Sequence, residues 1–221
     1  MSIITELITY RSEEHPNLLW LEVKTKEGVT GLGETFFAAE AVEAYIHSNL
    51  APMVLGLPAE DIELVHHKSR PYVGFVGAGM ELRARSALDI ALWDALGKSV
   101  NLPLSILLGG RIRHQIPVYN TCAGKRYVRG PKVGSTDNFG LDKPVKQEEF
   151  DDLNSFLNDP VSLAASLLEM GIDSMKIWPF DYAAEATLGQ FIGPYELSKA
   201  LKPFELIKKK YGDKMQLSAE L

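Results

Sequence analysis

A run of small apolar residues in the middle of the chain limits its fold more than any other feature. Ala84, Ala87, Leu88, Ala91, Leu92 and Ala95 recur at helical spacing, the pattern of a helix that buries one face. Most of that face is alanine, and such small residues permit another element to come close to the helix. Gly97 is read as the stop of this helix, because glycine tolerates the left-handed conformation with which helices end. A shorter helical segment, Leu104 to Leu108, runs into Gly109-Gly110.

Upstream, three segments have the β-branched, aromatic and alternating character of strands. They are Ile3 to Tyr10, Leu18 to Thr25 and Val29 to Thr35. The short Lys26-Glu27-Gly28 link predicts a hairpin between the second and third. A polar loop, Arg11 to Asn17, joins the first two. A helix is expected from Ala38 to Leu50, ended by Pro52, and another pattern begins near Ala59 with Ile62, Val65 and His66. The glycine-rich stretch from Pro71 to Gly79 lacks the G-x-x-x-x-G-K-[ST] spacing of a phosphate loop and reads as a loop or a close backbone contact. Strands followed by helices give this first part of the chain an α+β character.

Beyond Arg113 the rhythm changes. Ile116 to Thr121 reads as a strand and Gly124 to Asp142 as a polar loop. Lys146 to Leu157 and Val161 to Met170 read as helices, Ser174 to Trp178 as a strand, Pro194 to Tyr211 as a helix and Met215 to Leu221 as a strand. Strands alternating with helices predict a parallel α/β arrangement. Three parallel strands cannot close a barrel, which takes about eight, so the chain is expected to be truncated.

Composition excludes several classes of function. The net charge is -6 and the largest basic cluster is Lys208-Lys209-Lys210 inside a helical pattern, so nucleic acid is not an expected partner. No apolar run reaches the ~18 residues of a membrane helix, and the amino terminus lacks a secretory pattern. No membrane association and a cytoplasmic location are expected. The single cysteine, Cys122, allows no internal disulfide and has no Cys or His at zinc-site spacing.

Ala87-Leu-Asp-Ile-Ala-Leu-Trp-Asp-Ala-Leu-Gly-Lys98, then Asn101-Leu-Pro-Leu and Leu107-Leu-Gly-Gly110, closely resemble the mandelate racemase and muconate lactonizing branch of the enolase superfamily. Gly31-Leu-Gly-Glu34 and Pro117-Val-Tyr119 fall in matching order. The resemblance implies an α+β capping domain, a three-stranded antiparallel sheet plus helices, over 1–113, followed over 114–221 by the first βα units of a TIM-type (β/α) barrel. Asp89 and Asp94, within the motif, are read as structural.

The same resemblance implies the chemistry. Such proteins abstract a proton next to a carboxylate, with a bound Mg2+ acting as Lewis acid on the substrate oxygens. Relatives commonly end the second barrel strand in Lys-x-Lys. Here Lys176 stands first, as the expected catalytic lysine that polarises the substrate or acts as base, and Trp178 replaces the second lysine. Residues two apart on a strand point the same way, so Trp178 is expected to wall the site. Glu220 stands where relatives place the first metal-binding carboxylate, most often an Asp. His15 and Phe36 in the cap, and Asn120 at the end of the first barrel strand, are expected to bind substrate. The polar stretch from Gly124 to Asp142, with Lys125, Arg126, Arg129 and Lys132, is a further candidate for an anionic substrate. The remaining metal ligands and a His–Asp base would lie on later strands. The leading expectation is an acid-sugar dehydratase, a homo-oligomer acting on a small carboxylate. A racemase, epimerase or cycloisomerase on the same scaffold, or a non-catalytic truncated product, are the alternatives.

Overall fold

The computed structural model describes residues 2–70, 72, 78–124 and 151–220. The chain divides into two compact units, Met1–His114 and Gln115–Leu221.

In the first unit, strands β1 (Ile4–Tyr10), β2 (Leu18–Thr25) and β3 (Thr30–Phe36) form an antiparallel sheet in the order β1-β2-β3. Alternation on β2 buries Leu19, Leu21 and Val23 completely. The β2–β3 hairpin closes where Thr25 donates its N–H to the Val29 carbonyl at 3.0 Å, and Gly28 takes the positive φ of 82° that the turn requires. Its residues lie outside regular structure, so β3 begins at Thr30.

The alanine stripe is the inner face of α4 (Met80–Val100), and β3 is the element that comes close to it. A Cβ on Gly33 would lie 1.9 Å from the Ala87 carbonyl oxygen, and one on Gly31 the same distance from that of Ala91. Helix backbone therefore rests directly on strand backbone. Asp94 accepts the Leu32 N–H at 2.8 Å, which satisfies a donor on the outer edge of β3, and pairs with Lys98 at 2.6 Å. Asp89 meets His66 Nε2 at 2.8 Å, tying α4 to α3 (Ile62–Ser69). Both motif aspartates have structural partners.

Two helix stops differ from the sequence reading. Helix α4 runs through Gly97 and stops at Asn101, which adopts φ 52° and ψ 43°, while Leu102 donates its N–H to the Gly97 carbonyl at 2.9 Å. Asn is the non-glycine residue best suited to that conformation. Gly97 instead gives room, since a Cβ there would lie 3.0 Å from the Leu102 oxygen. Pro52 likewise does not end its helix. Helix α1 (Ala39–Tyr45) passes through a π-helical turn, Ile46–Leu50, into α2 (Ala51–Val54). Pro52 sits in the first turn of that new segment, where its missing N–H matters little. A short α5 (Leu104–Leu107) follows α4. Of the glycine-rich stretch, residues 71 and 73–77 lie outside the described residues.

The second unit contains α6 (Asp152–Asn158), α7 (Pro160–Glu169), β4 (Ser174–Ile177), α8 (Asp181–Thr187), α9 (Pro194–Tyr211) and β5 (Gln216–Ala219). Asp151 caps α6 through the Asn154 N–H at 2.9 Å, and Asp159 caps α7 through that of Ser162 at 3.2 Å. Strands β4 and β5 are parallel. Met175 and Ile177 point into a core with Phe156, Leu163, Leu167, Ile207 and Met215. The expected strand over Ile116 to Thr121 is reduced to one parallel bridge, Asn120 to Met175, in which Asn120 donates to the Ser174 carbonyl at 3.0 Å and accepts from the Lys176 N–H at 2.8 Å. Helix α8 was not anticipated. The Gly124 to Asp142 loop and the start of the helix expected from Lys146 lie outside the described residues after Gly124 and before Asp151. Among the described residues no helix is long and apolar enough to cross a membrane.

Candidate active site at the strand ends

Parallel pairing sets which side chains share a face. Lys176 pairs with Ser218 and Ile177 with Ala219. Because side chains alternate, burying Met175 and Ile177 turns Lys176 to the opposite face. Glu220, two residues beyond Ser218, follows it, and its own N–H reaches the Ile177 carbonyl at 3.2 Å, one step past the end of β5. The result is an ion pair, Lys176 Nζ to Glu220 Oε2 at 2.5 Å. The lysine side chain is 22% exposed and the glutamate 55%. The two residues expected to carry catalysis and metal binding thus meet at the carboxyl ends of adjacent strands, the end at which α/β architectures bind ligands.

Tyr119 completes this face, its ring centroid 5.8 Å from the lysine nitrogen. Asn120, one residue on, lies on the other face with its partner Met175. Its Oδ1 accepts the Cys122 N–H at 2.6 Å and its side chain hydrogen-bonds Asp152. The amide is committed to holding the chain. Burial pushes the Asp152 carboxyl up, the Asn120 bond works against that, and neighbouring Asp151 adds to it. Burial also drives the Cys122 thiol up to about 12, with Asp152 adding and Lys176 opposing.

Trp178 does not follow Lys176. Strand β4 ends at Ile177, so the alternation lapses and the indole turns into the core. It is 4% exposed, lies 5.6 Å from Phe156 at 60° and donates Nε1–H to the Thr121 carbonyl at 3.2 Å.

Asp181 was missed by sequence reasoning. It opens α8 just after β4, and its half-buried carboxyl is pushed up to about 6, by burial first and then by the Glu220 charge. A carboxylate three residues past a predicted strand was the available signal. Glu220 and Asp181 are hard oxygen donors of the kind Mg2+ takes, so the donor type fits while the number is small. Among the described residues no group of three or more His, Cys, Asp or Glu side chains is arranged to hold a metal.

The two cap residues belong to the first unit. His15 is half-buried in the β1–β2 loop, its carbonyl accepting the Leu18 N–H at 3.0 Å. Phe36 ends β3 and is 44% exposed. Arg83 of α4 donates to the Phe36 carbonyl at 2.7 Å and lies over the rings of Phe36 and Phe37 at 5.1 and 5.4 Å. Phe37 and Ala38 both have positive φ, 79° and 52°, and the Phe37 N–H is held by the Asn17 carbonyl at 2.8 Å. The sequence reading singled out Phe36 without Arg83.

Residues 7–109 match the amino-terminal domain of the mandelate racemase / muconate lactonizing enzyme family. A D-galactonate dehydratase from Xanthomonas campestris is 39% identical over 127 residues, 56% of this chain and 32% of that protein. A D-mannonate dehydratase from Xanthomonas oryzae is 34% identical over 111 residues, 49% and 26% of the two chains. Among solved structures, an enolase of the mandelate racemase subgroup from Agrobacterium tumefaciens superposes with a TM-score of 0.79 at 44% identity, covering 99% of this chain and 50% of that one. The muconate lactonizing enzyme of Pseudomonas putida gives 0.62 at 26%, covering 100% and 50%. The chain spans about half the length of these solved relatives, and its alignments cover about a third or less of the two dehydratases. The small-residue helix on a three-stranded cap and the parallel strands that follow are thus shared along the whole chain, which belongs to the mandelate racemase and muconate lactonizing branch of the enolase superfamily, as its amino-terminal part.

Proposed function

We propose that this chain supplies the cap and the first strand-end edge of a magnesium-dependent acid-sugar dehydratase. The observation that carries this reading is the pairing of Lys176 with Glu220 at 2.5 Å, at the carboxyl ends of two parallel strands, in a chain whose relatives include dehydratases of D-galactonate and D-mannonate.

Glu220, with Asp181 beside it, would hold Mg2+, which when bound would draw electron density from the substrate carboxylate. Lys176, released from Glu220, meets the negative charge that grows on that carboxylate as the neighbouring C–H bond breaks. The proton of that bond passes to a base, a role that the family resemblance gives to a His–Asp pair on later strands, and the electron pair moves into the carboxylate. It returns to form a carbon–carbon double bond as the adjacent hydroxyl leaves with a proton as water. Trp178, in the core where relatives commonly have a second lysine, leaves β4 with one ammonium on this face, which supports elimination over a two-base racemisation. Two carboxylates are too few to hold the ion firmly, so the 221-residue chain by itself is inactive on this reading, and the working protein is a cytoplasmic homo-oligomer.

The test is incubation of the complete gene product with a panel of sugar acids, D-galactonate and D-mannonate included, with magnesium and then with EDTA. The expected result is a 2-keto-3-deoxy acid, trapped as its semicarbazone, formed only with magnesium. Absence of turnover on every sugar acid overturns the reading. Solvent deuterium entering an unchanged carbon skeleton identifies a racemase or epimerase instead, and ring formation a cycloisomerase. A folded cellular product of only 221 residues identifies a non-catalytic protein.

A further inference from the structure

We infer that Tyr119 is a positioning residue for Lys176, holding the ammonium at the mouth of the site when Glu220 lets it go. The inference extends the proposed function, because it assumes that Lys176 meets the carboxylate of a substrate. Its geometry stands independently of that assumption.

The bridge between Asn120 and Met175 places Tyr119 on the face of Lys176, one residue away from the committed Asn120 amide. Two backbone hydrogen bonds, Asn120 N–H to the Ser174 carbonyl at 3.0 Å and Lys176 N–H to the Asn120 carbonyl at 2.8 Å, fix the separation of the two backbones. The lysine nitrogen then lies 5.8 Å from the ring centroid, within the ~6 Å over which an aromatic face attracts a cation. Glu220 meets the same nitrogen at 2.5 Å. The two contacts differ in kind. A carboxylate attracts strongly and is itself open to capture by a divalent cation, whereas the ring is neutral and has no use for one. Removing Glu220 from the lysine by cation binding leaves the ring contact intact. A lysine carries about 2 kcal/mol of rotamer entropy, and each contact that outlasts the ion pair narrows the positions over which its ammonium spreads.

The test uses the complete gene product labelled with 13C-lysine, the Lys176 signal being assigned by its disappearance in Lys176→Arg. The expected result is an upfield ring-current shift of the Lys176 ε-methylene protons, kept in Tyr119→Phe and in Glu220→Gln and lost in Tyr119→Leu. Complete gene product titrated with D-galactonate and magnesium should then show affinity kept in Tyr119→Phe and weakened about fivefold in Tyr119→Leu. An unshifted Lys176 signal in the unsubstituted chain, or unchanged affinity in a folded Tyr119→Leu protein, overturns the positioning role. A shifted signal that responds to no sugar acid supports the positioning geometry and overturns the proposed function, so the two failures are distinct.

Discussion

A Cβ on Gly31 would stand 1.9 Å from the carbonyl oxygen of Ala91, so strand β3 and helix α4 touch through their backbones. No rotamer change relieves such a clash, because the obstacle is a main-chain oxygen. Gly31→Ala is expected to cost roughly 3 kcal/mol or more, at the upper end of overpacking effects, and to lower the thermal midpoint of the first unit by many degrees. Gly28→Ala is the comparison. It has open space around it but a φ of 82°, and the left-handed conformation alone costs an alanine about 1 kcal/mol. Denaturant unfolding of the two variants should rank them in that order.

The Asp181 carboxyl gives a pH signature. Its pKa rises from 3.8 to about 6 on folding, so the folded chain binds that proton more tightly than the unfolded one. The stabilisation this represents is complete below pH 3.8 and is lost as pH rises through about 6. Asp181→Asn imitates the protonated form and should be the more stable protein at pH 7. The gain is roughly 1 kcal/mol, the full shift being discounted because solvent screens a half-buried group. It should vanish near pH 4. Thermal melts in EDTA across this range measure it, and an unchanged difference between pH 4 and pH 7 would refute the assignment.

Glu220 is expected to matter to ligand binding far more than to folding. Its ion pair with Lys176 is half-exposed, and such pairs contribute about 1 kcal/mol or less. Glu220→Gln should leave the melting temperature within a few degrees. In the complete gene product it should weaken magnesium binding by roughly tenfold or more, since the loss of a group that merely orients a metal ligand already costs that much. Calorimetric titration with magnesium, alongside a melt, separates the two effects.

Cys122 should be chemically silent in the folded chain. Burial lifts its thiol to about 12, and the thiolate is the reactive form. Iodoacetamide at pH 8 should leave intact protein unmodified over an hour and alkylate it fully in guanidinium chloride, as read by mass spectrometry. Modification at equal rates in both states would contradict the buried placement.

Local pattern made most of the first unit legible. The alternation in Leu18 to Thr25 and the alanine stripe each depend on a period within one segment, and both lie where that period puts them. What the pattern left out was long-range. Gly97 looked like a helix stop because the Leu102 oxygen that needs its space was invisible in sequence. Pro52 looked like a terminator because a π-helical turn cannot be read from residue types. Trp178 was placed beside Lys176 by a two-residue period that ends one residue too soon, and Asp181 passed unnoticed because α8 has no strong period of its own. Lys176 and Glu220 were legible as candidates from the family motif, but their contact depends on the pairing of β4 with β5.

The Asn120 amide has a role that no ligand contact would reveal. With Oδ1 on the Cys122 N–H and the rest of the group on Asp152, it works as a phase lock on the segment that runs beside β4. A slip of one residue would reverse every side chain, bringing Asn120 to the ammonium and burying the phenol of Tyr119 among Met175 and Ile177. A residue facing away from the chemistry thus decides which neighbour the chemistry has.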